Sequence, residues 1–360
     1  MFAASKGSQR VTLGPAWNER HDRYAAEAAG SSTELIDRAR TIAERFVSEL
    51  EAIERATDGW VDEELTTLLV EAALSTALAE LAETNCWGKA NQLASSEIWR
   101  IAGRWLDKGW LQHRARTKPR GYAGDDELLT RICERTLSED PVGRAFDRFF
   151  QGQAAAEVVR SRTAGLAAAL TNRVVATQPS PFRVVSVGSG PALEIEQAVR
   201  ALSVADRARL AVTLVDLDEE ALDKARSRLA TLLAPEQITV RRENLFRLAN
   251  NPRLASCVGP ADFSFCTGLF DYLADEPARA LLALLWAGLA PGGTLLVGNF
   301  APHCPTRAYM EWIGNWYLLY RTREELLQLA LDAGLPADSC QVTAERLGID
   351  LFLCAHKRAA

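Results

Sequence analysis

A valine-rich run, Val184–Val187, stops at Gly188-Ser-Gly190, and Pro191 follows where a helix should open. Glycines at such a turn let the backbone approach a ligand closely, and a helix N-terminus offers unpaired N–H groups to its polar parts. The next β-branched run ends Val-Thr-Leu-Val-Asp216-Leu-Asp218, placing a carboxylate at the carboxyl edge of a sheet, where open α/β folds bind ligands. A carboxylate accepts from two ribose hydroxyls at once, so Asp216, 26 residues after Gly190, is the expected ribose partner. Asp218 is the expected cap of the helix opening at Glu219. The pattern points to a nucleotide-like cofactor; a plain structural turn at Gly188-x-Gly190 and a purely capping acid are the competing readings.

One residue bears on which cofactor. A dinucleotide fingerprint needs a small third glycine position, so that the helix presses on the strand and pyrophosphate sits on its N-terminus; here that position is Leu193. A cofactor without phosphates has no such need, which favours S-adenosylmethionine over NAD or FAD. The order of parts from about Phe182 to Ala355 resembles the class I S-adenosylmethionine-dependent methyltransferases: Val187-Gly-Ser-Gly-Pro-Ala192, Val215-Asp-Leu-Asp218, Arg242-Glu-Asn-Leu245, Cys266-Thr-Gly-Leu-Phe-Asp-Tyr272 and Leu289-Ala-Pro-Gly-Gly293. The resemblance implies that Gly188, Ser189 and Gly190 cradle the methionine moiety and that Asp216, with Leu217 beside it, holds the ribose. It further implies Asn244 and Leu245 at the adenine edge and face, and Cys266 and Thr267 near the sulfonium. Ser186, Ala192 and Asn244 stand where many relatives carry an acid, a third glycine and an aspartate.

Lys118-Pro-Arg-Gly-Tyr-Ala-Gly-Asp125, Phe146-Asp-Arg-Phe-Phe150, Ala154-Ala-Ala-Glu-Val-Val-Arg-Ser-Arg162 and Gly268-Leu-Phe-Asp-Tyr-Leu273 resemble a bacterial group related to 3-hydroxypalmitic acid methyl ester biosynthesis. That resemblance implies carboxyl O-methylation; the aromatic residues Trp312, Trp316, Tyr317 and Tyr320 suit an apolar or aromatic acid. Methyl transfer from a sulfonium is an in-line displacement governed by alignment and desolvation. A carboxylate acceptor needs no base, whereas a hydroxyl needs one, with His303 and Asp271 as candidates. Tyr122, placed to meet the cofactor's methionine end, joins them as a catalytic candidate. Each has a bland alternative: a surface histidine, a helix cap, an ordinary turn. Trp312, Trp316, Tyr317 and Tyr320 give a lid of apolar surface with polar tips, or a helix packed on the core or a partner subunit. Arg321 could pair with an acceptor carboxylate or with Glu324 or Glu325, and Arg120 could close the site. Arg160 and Arg162 could meet a carboxylate or lie on a solvated helix face.

These residues need a scaffold, and the chain's texture supplies one. Apolar positions recur at helical spacing over Ser31–Ala56, Asp62–Leu81, Asn91–Leu111, Asp126–Thr136 and Val142–Val175, the last broken near Gly152. Residues 1 to about 30 read as an irregular arm. From Arg183 on, strands are expected at Arg183–Val187, Ala211–Asp216, Gln237–Arg241, Asp262–Cys266, Gly293–Asn299, Gln341–Ala344 and Asp350–Ala355. Helices are expected between them at about Leu193–Leu202, Glu219–Leu233, Glu276–Leu289 and Arg323–Ala333. Such alternation predicts an α/β, Rossmann-like seven-stranded sheet, closing in an antiparallel hairpin, behind an all-helical N-terminal cap. The expected boundary lies at 178/179, with Thr177–Pro181 as linker. The net charge of −6 and pI near 5.5 argue against a nucleic-acid coat. The longest apolar run, Ala280–Ala290, is far shorter than the roughly 20 residues of a membrane span. Seven scattered cysteines without metal spacing read as reduced, mostly buried thiols, with no metal site. The expectation is a cytoplasmic protein acting on a small-molecule acceptor, with a homodimer open. An O- or N-methyltransferase for a hydroxyl or amine, and a non-catalytic adenosyl-binding partner protein, are the alternatives.

Overall fold

Short valine and leucine runs buried on both faces build a sheet, as parallel strands covered by helices require. A computed structural model describes residues 32–177, 181–245 and 257–359; the expected N-terminal arm and residues 178–180 of the expected linker lie outside these. Seven strands form one sheet: β1 (Phe182–Val187), β2 (Leu210–Asp216), β3 (Ile238–Arg242), β4 (Ala261–Cys266), β5 (Leu289–Phe300), β6 (Cys340–Ala344) and β7 (Asp350–His356). Their order is β3-β2-β1-β4-β5-β7-β6. The first five run parallel, and β7 pairs antiparallel with both β5 and β6. The expected closing hairpin is therefore present, turning through Gly348 at φ 73°. Because strand side chains alternate, Val184 enters one core with Ile195, Leu222 and Phe263, and Val185 enters the other with Leu281, Leu295 and Leu326.

The described helices are α1 (Ser32–Ala56), α2 (Glu63–Ala82), α3 (Gln92–Leu106), α4 (Trp110–Thr117), α5 (Asp126–Glu134), α6 (Pro141–Gly152) and α7 (Ala154–Ala176). They continue with α8 (Leu193–Ala201), α9 (Val204–Ala208), α10 (Glu219–Leu229), α11 (Asp275–Ala287) and α12 (Arg323–Asp332). The break expected near Gly152 falls at Gln153. The single helix expected over Asn91–Leu111 is instead two. Gly109 allows the break, because a Cβ there would lie 2.7 Å from Phe146 Cβ. Asp147 then caps the new start by accepting from Leu111 N–H at 2.9 Å. Strand β5 begins at Leu289 rather than Gly293, since Gly292 N–H donates to the Lys357 carbonyl at 2.9 Å and Lys357 N–H to the Gly293 carbonyl at 2.9 Å.

The chain divides into two units: described residues up to Gln153 with Thr306–Tyr317, and Ala154–Pro305 with the described residues from Leu318 onward. Helix α7 thus groups with the sheet rather than with the helices before it, because its Leu166, Ala167, Leu170 and Val174 share a core with Phe182 and Val184. In the helical unit, Leu50, Leu74, Leu81, Leu106, Leu111 and Phe146 are wholly enclosed. Helix α2 is long and apolar enough to cross a membrane by length and composition, although its Val70, Leu74 and Leu81 are buried within the unit. All seven cysteines are free thiols, four of them buried.

Two glycines on helical boundaries and faces should respond oppositely. Gly109→Ala meets Phe146 and should cost about 1–3 kcal/mol. Gly165→Ala, in mid-α7 with nothing within 4 Å of the new Cβ, should gain about 0.5–1 kcal/mol. Urea unfolding of both variants checks this, and a Gly109→Ala protein as stable as the parent would contradict the packing described.

Candidate cofactor site

Strand β1 ends at Val187 and the chain turns through Gly188 at φ 64° and Gly190 at φ 47°, left-handed conformations that favour glycine. Val215 of β2 anchors the turn, its carbonyl accepting from Gly188 N–H at 2.8 Å and Ser189 N–H at 3.2 Å. Asp216 then reaches across: Oδ2 accepts from Gly190 N–H at 2.8 Å and Oδ1 from Asp218 N–H at 3.0 Å. Each oxygen of an ionised carboxylate accepts two bonds, so both retain a lone pair for hydroxyl donors. Asp218 caps α10, accepting from Glu220 and Ala221 N–H. Asp218 is thus the helix cap the sequence suggested. Burial raises the Asp216 carboxyl above its ordinary range, with the Asp218 and Gly190 amides pulling it back. Ser189 is 4 % exposed and its Oγ has no hydrogen-bond partner among the described residues.

The remaining strand ends bring further groups to the same edge. The Asp216 carbonyl accepts from Glu243 N–H at 2.8 Å, tying the stretch with half-buried Asn244 to β2. Leu245 is enclosed in the core with Val187 and Val215. Cys266 closes β4 fully buried, which pushes its thiol well up and keeps it neutral. Thr267 and Leu217 are half-buried. A Cβ on Gly188 would lie 3.5 Å from Leu269, so the glycine turn faces the loop after β4.

Asp271 is buried, and it does not cap its short 3-10 turn, Phe270–Tyr272, whose N-cap is Leu269. Its Oδ1 accepts from Phe300 N–H at 2.7 Å and Asn299 Nδ2 at 3.1 Å, clamping the end of β5. Arg162 is buried on α7 rather than solvated. It donates from Nη1 to the Thr267 carbonyl at 2.7 Å and to Asp350 Oδ2 at 3.4 Å. Arg160 instead pairs along its helix with Glu157 at 2.9 Å. Asp350 opens β7 opposite Phe300 and is wholly buried, its Oδ1 without a hydrogen-bond partner among the described residues. Glu194, in the first turn of α8, is pushed up to about 7 by burial, with Arg162 pulling it back. Sequence reasoning missed Asp350 and Glu194; an acid opening the apolar run Asp350-Leu-Phe-Leu-Cys was the available signal.

The expected substrate side looks different in the structure. Arg321 is fully buried and committed within the sheet unit: Nη1 donates to Asn299 Oδ1 at 2.6 Å and the Phe270 carbonyl at 3.0 Å, Nη2 to the Leu273 carbonyl at 2.6 Å and Asp275 at 3.0 Å. Neither Glu324 nor Glu325 is its partner in these bonds; Glu325 completes the capping box of α12 with Thr322. Tyr320, beside it, is buried too. In the helical unit, the lid expected at Trp312, Trp316 and Tyr317 is a π-helical turn, Tyr309–Ile313, followed by chain without regular structure. Trp312 is fully buried, and its carbonyl accepts from Ser95 Oγ at 2.8 Å. Tyr317 donates its hydroxyl to Asn91 Oδ1 at 2.8 Å, while Trp316 stays half-buried. Buried Glu311 holds the turn, accepting from Gly88 N–H at 2.6 Å and Arg307 Nε at 2.8 Å. The segment is therefore built into its unit's core. The loop at Lys118–Asp125 is fixed by Arg114, which donates to Asp125, and Asp125 caps α5 through Leu128 N–H. Arg120 lies 3.7 Å from Asp126, and Tyr122 is half-buried. His303 is exposed on the loop after β5.

No protein-family model matches the sequence, and no curated protein matches it. Solved structures do match. A possible exported protein from Bordetella parapertussis is 17 % identical over 97 % of this chain and 100 % of that one, with a TM-score of 0.54. Magnesium protoporphyrin IX methyltransferase from Synechocystis PCC 6803 with bound SAH is 17 % identical over 65 % of this chain and 100 % of that one, at 0.42. The CurJ carbon methyltransferase is 13 % identical over 96 % and 97 %, at 0.48. At 17 % identity and a TM-score of 0.54 the first likeness is one of fold. With its strand order and antiparallel β7, the chain has a Rossmann-like, seven-stranded α/β fold.

Proposed function

We propose that the chain is an S-adenosylmethionine-dependent methyltransferase acting on a small molecule. The observation that carries this reading is the pairing of the glycine turn with Asp216, whose carboxylate bonds Gly190 N–H and keeps lone pairs for a ribose. The charge around it supports a cofactor without phosphates. Glu194, Asp216, Asp271 and Asp350 gather at the strand ends, with Arg162 the cation that acts on three of them, an unfavourable setting for pyrophosphate. In this reading Gly188, Ser189 and Gly190 hold the methionine moiety, Asp216 and Leu217 the ribose, Asn244 and Leu245 the adenine, and Cys266 and Thr267 flank the sulfonium.

Two acceptor classes have separate support. A methyl ester follows from the sequence resemblance. A hydroxyl or amine acceptor is favoured by the buried acids of the sheet unit, since such an acceptor needs a base and Asp271, Asp350 or exposed His303 could serve. With Arg321 enclosed, the first reading no longer draws on that residue.

S-adenosylhomocysteine should bind the folded chain in a calorimeter, and Asp216→Ala should weaken it at least about tenfold by removing two charge-assisted hydrogen bonds. Unchanged affinity in that variant would remove Asp216 from the site. For the acceptor, incubation with S-adenosylmethionine and a panel of apolar acids, phenols and amines should give a product heavier by one methylene in mass spectrometry. A panel that yields none, from protein that binds the cofactor, would favour an adenosyl-binding protein without chemistry.

A further inference from the structure

The acids at the strand ends are unequally supported. Asp271 is held by the Phe300 amide and by Asn299, which in turn accepts from Arg321. Asp350 has less. One of its oxygens lies 3.4 Å from Arg162 Nη1, and the other, in a residue with no exposed surface, has no hydrogen-bond partner among the described residues. Arg162 is shared further, since the same Nη1 donates to the Thr267 carbonyl at 2.7 Å. A buried carboxylate with half its acceptors unsatisfied is a costly arrangement unless something enters to complete it.

The cofactor of the reading above carries a sulfonium, an ammonium and a carboxylate, and so is a net cation; its product lacks the sulfonium charge and is net neutral. Resting on that methyltransferase reading, we propose that Asp350, Asp271 and Arg162 form a charge-selective subsite, which keeps one shared proton when empty or holding the thioether product and releases it to solvent when the sulfonium binds. Cofactor is thereby retained in preference to its own product.

The surroundings fit such a proton. Burial pushes Asp271 up to about 6 and Asp350 up to about 7; Arg162 pulls both down, and the Asp271 charge raises Asp350. Glu345, in the β6–β7 turn, adds a further negative influence on Asp350 while accepting from Ile349 N–H. Cys266 stays a neutral thiol, Glu194 and Asp216 add acid from α8 and β2, and Arg321 is shared with Asp275. A bound cation favours the ionised carboxylates, so sulfonium affinity rises with pH until the pair is ionised and is flat above that. A neutral ligand gains nothing from the same ionisation.

Calorimetry on the full chain tests this with S-adenosylmethionine and S-adenosylhomocysteine, each titrated in phosphate and in Tris. At about pH 6.5 the sulfonium should release up to about one proton per site and the thioether none, read from the buffer dependence of the heat. Between about pH 5.5 and about pH 7.5 the ratio of thioether Kd to sulfonium Kd should rise about tenfold. Asp350→Asn should flatten that ratio while still binding the thioether, which also certifies its fold. Equal proton release by the two ligands in the unaltered protein overturns the subsite and leaves the cofactor assignment standing. Failure of both ligands to bind overturns both.

Discussion

The hydrogen bond from Gly190 N–H to Asp216 joins the two loops on which the rest of the site depends. It fixes a left-handed turn at the end of β1 and, with the Asp218 amide, sets the orientation of the carboxylate at the end of β2. The Val215 carbonyl holds the same turn from one residue earlier, so the loop is braced by consecutive residues of its neighbouring strand. Parallel pairing of β1 with β2 makes this possible, because it brings both strand ends to one edge.

Charge at that edge is the second constraint. Burying several carboxylates beside one arginine costs desolvation that the ion pair alone does not offset. The structure meets part of this with neutral donors: Asp271 takes the Phe300 amide and Asn299, and Asn299 passes the contact on to Arg321. Arg321 in turn satisfies the Phe270 and Leu273 carbonyls, so the loop after β4 and the chain after β5 are bound by one guanidinium. Among the buried side-chain atoms left without a hydrogen-bond partner in the described residues are Asp350 Oδ1 and Ser189 Oγ, next to where a ligand is proposed.

Much of the sheet was legible because its signals are local. Val184–Val187 is too short and too apolar for anything but a buried strand, and Asp218 before Glu-Glu-Ala marks a helix start by its side chain alone. The break at Gly109 was not legible, since it depends on the Phe146 side chain, distant in sequence, filling the space of a Cβ. Trp312 and Tyr317 carry the composition of an aromatic lid, but residue type does not distinguish an exposed tryptophan from one enclosed beneath α3, and their partners Ser95 and Asn91 lie far earlier in the chain. Arg321 failed for the same reason: its partners come from two earlier segments, Phe270 to Asp275 and Asn299. Arg162 sits on a long helix where the default is solvent, and only the seating of α7 against the sheet makes it a buried charge.

The central claim is that the ends of β1, β2 and β4 form one adenosyl site. Hydrogen exchange with and without S-adenosylhomocysteine, read by mass spectrometry on peptides across the whole chain, tests it directly. Protection gathered at residues 188–194, 216–218 and 266–269 is the predicted result. Saturating ligand that leaves those three segments unprotected, or protects only segments elsewhere, would contradict the account.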